Sequence, residues 1–169
     1  ILIICPVSAV VTWRPFLEEY GFKDKATVVS YSQIRTNKSA YLKREKKVTQ
    51  KGEAGERTVF RPTDQYLDMI RDGLFLIVDE HHNAKNHSLQ SMAVAALTQA
   101  VAFRSKDSRA LLLSATPFDK ENHLTTMIHL LGITNQPKLY HVNPFSRQVV
   151  LDGMADVITF AKKCNPEEA

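Results

Sequence analysis

Short apolar segments alternate with amphipathic segments along the chain, and this alternation predicts a mixed α/β fold. Apolar runs short enough for buried strands occur at residues 1–5, 26–30, 74–79 and 109–114. Segments with apolar residues at helical spacing follow them, at residues 12–20, 63–71, 88–102 and 121–131. A last short strand and a final helix are predicted at 138–142 and 151–163. Strands that alternate with helices in this way predict a parallel, doubly wound sheet with helices on both faces.

Local signals mark where several of these helices begin and end. Thr12 is the predicted N-cap of the first helix, because this start places Pro15 in the first turn, where its missing N–H is harmless. Gly21 then supplies the stop. Thr63 and Ser88 are the predicted N-caps of the next two helices.

Residues 35–62 form a basic segment that interrupts the regular alternation. Residues 39–47 favour a short basic helix, and residues 48–50 are predicted to pair with residues 58–60 in a hairpin. Every charged residue from Arg35 to Lys51 is Lys or Arg, except Glu45. A patch of this kind is typical either of a solvated surface or of a surface that faces phosphate groups.

Composition limits the class of protein. Hydrophobic residues make up 44% of the chain and charged residues 24%, as in an ordinary globular domain. No apolar run approaches the ~20 residues that cross a bilayer, so no membrane partner is expected. Cys5 and Cys164 lie at opposite ends without metal-binding spacing, which favours a reducing, intracellular setting, nuclear or cytoplasmic. The net charge of +4 permits an anionic partner.

The strongest chemical signal is the apolar run that ends in Asp79 and Glu80. A buried parallel strand that delivers two acids to the carboxyl edge of a sheet is the Walker B pattern of nucleotide hydrolases. In that pattern Asp79 would hold the Mg²⁺ of ATP, and Glu80 would orient or deprotonate the attacking water. The alternative is a strand-to-loop turn with solvated acids. Zinc binding by Asp79 with His81 and His87 is disfavoured, because His-His-x-x-x-x-His is not a usual zinc spacing.

A second apolar strand ends in Ser114-Ala-Thr-Pro117. In this order and at this spacing, the two strand ends resemble motifs II and III of superfamily 2 helicases and translocases. The resemblance implies a RecA-like fold with ATP and Mg²⁺ as cofactors. It also implies that His82, Ser114 and Thr116 couple the state of the nucleotide to the nucleic-acid-binding face, and it adds His82 to the catalytic group of Asp79 and Glu80.

The surrounding sequence narrows this resemblance to the Swi/Snf-type translocases. Residues 78–86 resemble that group's Asp-Glu-Ala-His-x-x-Lys-Asn segment, with His81 and Ala84 as departures. Residues 1–13 resemble motif Ia and residues 28–34 motif Ib. Motif Ia contains a tryptophan, and Trp13 is interpreted as core packing rather than base stacking.

The same resemblance predicts where nucleic acid binds. Hydroxyl groups of motifs Ia and Ib contact backbone phosphates without reading sequence. The predicted contacts are therefore Ser8, Ser30 and Ser32. Lys43 and Arg44 belong to the basic segment that follows the motif Ib loop, and they are added as candidates because of their charge.

No Gly-x-x-x-x-Gly-Lys-Ser/Thr phosphate loop occurs in the chain. In the family this loop precedes motif Ia. We therefore expect that the sequence is truncated upstream of motif Ia and that the sheet lacks the phosphate-loop strand. Residues 1–132 are then a partial first RecA-like domain with a basic insertion at 35–62. Residues 133–169 are an extension of that domain or the start of a linker.

The predicted function is that of a fragment of an ATP-dependent helicase or translocase, itself inactive, whose parent couples MgATP hydrolysis to movement on DNA. Its partners would be DNA, double-stranded by preference with RNA also open, and the second RecA-like domain of the same parent. Two alternatives stay open. One is a non-enzymatic nucleic-acid-binding module that has lost its phosphate loop. The other is a metal-dependent hydrolase that uses Asp79, Glu80 and the histidines.

Overall fold

Strands and helices alternate along the chain in a computed structural model that describes residues 1–48, 56–80, 88–114, 122–136 and 138–165. Within these ranges the strands are β1 (Leu2–Cys5), β2 (Thr27–Ser30), β3 (Leu42–Val48), β4 (Glu56–Pro62), β5 (Phe75–Asp79), β6 (Arg109–Leu113), β7 (Tyr140–Val142) and β8 (Val149–Leu151). The helices are α1 (Val7–Glu19), α2 (Tyr31–Ile34), α3 (Asp64–Arg71), α4 (Leu89–Arg104), α5 (Asn122–Leu130) and α6 (Gly153–Cys164).

The central sheet has four parallel strands in the order β2-β1-β5-β6. Leu2, Ile4, Leu76 and Val78 point to one face, where they form the core with Leu97 of α4 and its neighbours. Asp79 alternates with Val78 along β5, and it contacts Trp13 of α1. Helix α1 therefore lies on the opposite face. Helices on both faces of a parallel sheet confirm the predicted doubly wound, RecA-like class.

Helix α1 starts earlier than its sequence suggests. It begins at Val7, directly after Pro6, so the prediction of Thr12 as the N-cap is wrong. Pro15 consequently lies inside the helix. The proline ring removes the N–H that would bond the Val11 carbonyl, and water can replace it because Val11 is 71% exposed. The helix ends as predicted, with Gly21 at a φ of 73°.

The caps of α3 and α4 are confirmed. The Thr63 hydroxyl accepts a hydrogen bond from the Tyr66 N–H at 3.2 Å. The Ser88 hydroxyl accepts one from the Ser91 N–H at 3.3 Å, and the Ser91 hydroxyl accepts one from the Ser88 N–H in return. These signals were readable from sequence because a cap needs only residues three positions apart.

The basic segment forms a β-hairpin, so the helix predicted at 39–47 is wrong. Strands β3 and β4 pair antiparallel over seven positions each, with Arg44 opposite Phe60 and Lys43 opposite Arg61. Pairing was predicted, but between 48–50 and 58–60; in the structure Thr58 pairs with Lys46 instead. Leu42 and Phe60 are buried in the core at the base of the hairpin, so tertiary contacts override the helix propensity of the lysine-rich stretch.

The remaining elements follow β6. Helix α5 packs on α4, and Gly132, with a φ of 67°, ends its last turn. Strand β7 was predicted at 138–142, whereas its antiparallel partner β8 was not predicted. Helix α6 was predicted within two residues of its observed ends. Among the described residues, no helix combines the length and the apolar character that crossing a membrane requires.

The α1 face of the sheet is covered only in part. Phe75 is 39% exposed and Leu111 of β6 is 41% exposed, although both point to the face that α1 occupies. Strand β6 is also the outer strand of the sheet among the described residues. An apolar surface and an unpaired strand edge therefore lie side by side over β5 and β6.

Candidate active site

Polar residues collect where β5 and β6 end. Asp79, the last residue of β5, stands opposite Leu113, the last residue of β6. Glu80 and Ser114 therefore follow at the same carboxyl edge of the sheet, where α/β proteins bind ligands. This confirms the predicted neighbourhood for these three residues. His82 and Thr116 lie outside the described residues, so their placement stays a prediction.

Asp79 is hydrogen-bonded from two directions. The indole N–H of Trp13 donates to the carboxylate Oδ2 at 2.8 Å. The hydroxyl of Tyr31 donates to the backbone carbonyl oxygen of Asp79, also at 2.8 Å. Trp13 is half-buried and Tyr31 is buried. The interpretation of Trp13 as core packing thus missed its polar contact, although a partly buried indole N–H usually finds an acceptor.

Glu80 leaves the strand in the left-handed backbone region, at a φ of 54°. For a residue other than glycine this conformation costs about 1 kcal/mol or more. The turn makes the chain change direction between the two acids. Consecutive acids at a strand end can in this way serve two different groups.

Burial and charge keep the groups around Asp79 neutral. The pKa of the Cys5 thiol is raised to about 11, mainly by burial and further by the negative charge of Asp79. The same two causes, in the same order, hold the pKa of Tyr31 well above its ordinary value. A tyrosine is protonated at neutral pH even at its ordinary pKa of 10.0, and the raised pKa keeps Tyr31 a hydrogen-bond donor at alkaline pH as well.

A cavity of about 320 Å³ opens beside Asp79. It is lined by Ala9, Thr12, Trp13 and Phe16 of α1 and by Asp79 itself. Most of its wall is apolar, and Asp79 is its one charged lining residue. The carboxylate thus borders a cavity that is open to solvent on the side of the exposed Thr12 and Phe16.

The donor set at this edge suits a magnesium ion that is shared with phosphate groups. Mg²⁺ is usually held by one or two carboxylates together with the phosphates of its substrate. Asp79 provides one such carboxylate at a strand end. The described part of the chain contains no group of three or more His, Cys, Asp or Glu that could hold a metal by itself. The histidines of the zinc alternative, His81 and His87, lie outside that part.

The predicted phosphate contacts differ in their availability. Ser8 is exposed in the first turn of α1, next to the carboxyl end of β1. Ser30 is only 4% exposed, and its hydroxyl caps α2 by accepting from the Gln33 N–H. Ser32 is exposed, and its hydroxyl lies 2.8 Å from that of Ser30. Ser30 thus shapes the turn that presents Ser32.

Lys43 and Arg44 are both exposed on β3, but neighbouring strand residues point to opposite faces of the hairpin. Lys43 shares its face with Arg61, whose guanidinium donates to Glu45 at 2.7 Å. Arg44 shares its face with Phe60, the residue that anchors the hairpin. The two candidate cations therefore do not form one flat patch.

The parallel sheet, its strand-end acids and the serine at the neighbouring strand end define a RecA-like domain of superfamily 2. The chain matches the SNF2-related domain family over residues 1–164. It therefore belongs to that family and is a first RecA-like domain of the Swi/Snf-like type. The family is that of ATP-dependent helicases and translocases. No curated protein matches the chain.

Proposed function

We propose that the chain supplies the Mg²⁺-binding and water-activating side of an ATP hydrolysis site that drives movement along DNA. The observation that carries this proposal is the placement of Asp79 and Glu80 at the end of β5, beside Ser114 at the end of β6. Membership of the SNF2-related family supports the use of ATP.

The two acids have separate roles in this proposal. Asp79 would hold the Mg²⁺ of MgATP, and the ion would supply positive charge to the phosphates. One carboxylate oxygen accepts the Trp13 N–H, so the other would be available to hold the magnesium. Glu80, after the left-handed turn, orients the attacking water and accepts its proton.

The open part of the α1 face indicates where a phosphate loop would belong. We propose that a further strand pairs with the free edge of β6 and connects to β1. Parallel strands are joined by right-handed crossovers, so the connecting helix would lie on the α1 face over β5 and β6. It would cover Phe75 and Leu111, and its N-terminus would reach the carboxyl edge beside Asp79.

The nucleic-acid contacts are proposed at the same sheet edge. Ser8 and Ser32 follow the ends of β1 and β2, on elements adjacent to the acids. His82, Ser114 and Thr116 would couple phosphate release to these elements. A second RecA-like domain would close the nucleotide from the opposite side. DNA is favoured as the partner because the family resemblance is to translocases on duplex DNA.

Acid-to-amide substitutions test the hydrolytic roles in the full-length protein. Glu80→Gln should lower kcat by a factor of about 100 to 10,000 while MgATP still binds, because the water loses its base. Asp79→Asn should abolish turnover by weakening magnesium binding. Asp107→Asn, the same change at the opposite edge of the sheet, is the matched control and should leave turnover unchanged. Robust hydrolysis by Glu80→Gln would show that Glu80 does not activate the water.

Residues 1–169 alone should hydrolyse no ATP above background, since they contain no phosphate loop. A full-length protein that binds duplex DNA without hydrolysing ATP would favour the non-enzymatic alternative instead. Stoichiometric zinc binding would favour the metal-dependent hydrolase.

The hairpin is tested by the salt dependence of DNA binding. Each phosphate contact adds about 0.9 to the slope of log K against log salt concentration. Lys43→Ala and Arg44→Ala should each flatten the slope by that amount if the hairpin enters a groove and contacts phosphates on both of its faces. If only one face contacts DNA, only one variant should do so. Lys162→Ala and Lys163→Ala, on exposed positions of α6, are matched controls.

A further inference from the structure

Two aromatic residues from different elements meet at the first acid. Trp13 lies on α1 and Tyr31 opens α2, and they are separated from Asp79 by 66 and 48 positions in the chain. Each donates one hydrogen bond of 2.8 Å, the indole to the carboxylate and the phenol to the backbone carbonyl. The side chain and the main chain of the same residue are thus held independently.

The Trp13 contact is more than packing. Its ring meets Phe16 edge to face, with centroids 5.8 Å apart, and a phenylalanine at position 13 would satisfy that contact equally. The indole adds an N–H donor, which bonds the carboxylate at the wall of an apolar cavity. A donor on Oδ2 selects one orientation of the carboxylate and leaves Oδ1 for a cation. Such supporting hydrogen bonds typically change metal affinity by about 10- to 100-fold.

The Tyr31 contact acts on the next residue. The carbonyl of Asp79 belongs to the peptide unit that joins Asp79 to Glu80. Fixing this carbonyl sets the plane from which Glu80 departs with its φ of 54°. Because this conformation is intrinsically unfavourable, it needs contacts that hold it in place. The buried phenol of Tyr31 provides one such contact.

We propose that Trp13 and Tyr31 are positioning residues for the two acids. Trp13 orients the Asp79 carboxylate toward magnesium, and Tyr31 fixes the Asp79–Glu80 peptide and thereby the water-activating carboxylate. This inference rests on the proposed function, and it adds an assignment of two different kinetic effects to two residues that act through Asp79 and its peptide bond to Glu80.

The first test separates magnesium affinity from turnover. In the full-length protein, Trp13→Phe should raise the Mg²⁺ concentration for half-maximal ATP hydrolysis about 10-fold, with kcat at saturating Mg²⁺ nearly unchanged. Tyr20→Phe also removes the polar group of an aromatic residue, at the exposed end of α1 and outside the cavity lining, so its Mg²⁺ dependence should stay that of the unmodified protein. Equal Mg²⁺ dependence of Trp13→Phe and the unmodified protein would overturn the role of Trp13.

The second test concerns Tyr31. Tyr31→Phe should lower kcat about 10-fold and leave the Mg²⁺ dependence unchanged, because it disturbs the placement of Glu80 but not the Asp79 carboxylate. Tyr66→Phe is the matched control, since it also removes a buried phenol that donates to a backbone carbonyl, that of Leu97 at 3.1 Å. If both variants lower kcat equally, the effect is one of stability and the positioning role of Tyr31 is wrong.

A spectroscopic measurement keeps the inference testable even if a variant folds poorly. The chain contains a single tryptophan, so its indole N–H gives one NMR signal in the 169-residue chain. Asp79→Asn should shift this signal, whereas Asp107→Asn should not; an unmoved signal would show that the hydrogen bond is absent.

The proposed function is tested separately from the positioning roles. If Asp79→Asn and Glu80→Gln abolish hydrolysis while Trp13→Phe and Tyr31→Phe behave as the unmodified protein, only the positioning roles fall.

Discussion

The two faces of the central sheet differ in how completely they are covered. On one face, Leu2, Ile4, Leu76 and Val78 are fully buried against α3 and α4. On the other face α1 contacts β2, and Ile3 and Cys5 of β1 are buried, whereas Phe75 and Leu111 on β5 and β6 remain more than one third exposed. The same strands therefore contribute a closed core on one side and an open surface on the other.

Because of this difference, we expect residues on the closed face to determine stability and residues on the open face to determine function. Strand residues alternate between faces, so Val78 enters the closed core and Asp79, the next residue, points to the open face. The closed face fixes where β5 ends. On the open face the Asp79 carboxylate lines a cavity. A change on the closed face should therefore cost free energy of folding, and a change on the open face should cost function.

The largest contrast in stability is expected between two leucines on adjacent strands. Leu76→Ala should lower the free energy of unfolding by about 2–5 kcal/mol, because it leaves a cavity in the core. Leu111→Ala should cost less than about 1 kcal/mol in residues 1–169, because Leu111 is already partly in water. Urea denaturation of both variants measures the difference.

The leucine pair also tests the proposed covering helix. In the full-length protein, Leu111→Ala should become as costly as Leu76→Ala, because Leu111 would then be buried. An equally small cost in the short and the full-length protein would contradict the proposed position of the helix.

A thiol reaction tests how far the open region extends. Cys5 alternates with Ile4 and so lies on the α1 face, yet it is fully buried. The pKa rise from 9.0 to about 11 by itself lowers the thiolate fraction at pH 8 by about 100-fold. Cys5 should therefore react with a thiol reagent at least ~100-fold more slowly in the folded chain than in urea. Exposed Cys164 should react at once. Fast labelling of Cys5 in a folded Cys164→Ser variant would show that α1 does not seal this face.

The smallest expected difference in the free energy of unfolding is between variants of two tyrosines. Tyr66→Phe on the closed face removes the hydrogen bond to the Leu97 carbonyl and should cost about 1 kcal/mol. Tyr20→Phe, at the exposed end of α1, should change the free energy of unfolding by less than about 0.5 kcal/mol. Thermal melts of the two variants check the prediction. Equal shifts in Tm would mean that the closed face is less well packed than its burial indicates.

The parts of the fold that were predicted from sequence rest on local signals. Thr63 and Ser88 cap helices through residues three positions away, and Gly21 ends α1 where a positive φ is needed. The pairing of the basic hairpin was predicted with the wrong extent and register, because its strands join residues as far apart as Leu42 and Pro62. No local pattern in a run of lysines reports that a distant strand will pair with it.

In the candidate site, too, the features that follow from local sequence were predicted and the contacts between distant residues were not. Asp79, Glu80 and Ser114 were predicted at the sheet edge because two apolar strands end in them. The contacts of Trp13 and Tyr31 with Asp79 were not predicted, since they join residues on separate crossovers. The one available signal was the indole N–H of a tryptophan, which needs a hydrogen-bond acceptor when the ring is buried. The sequence does not identify which residue supplies that acceptor.

Local sequence was thus enough to establish the alternating α/β elements, the acid-tipped strand and the family resemblance. Those properties follow from periodicity and from residues that are neighbours in the chain. The tertiary structure alone decided on which face Asp79 lies, what holds its carboxylate and which face of the sheet stays open. These depend on how crossovers bring distant residues together, and the free energy of such contacts is not encoded at any single position of the chain.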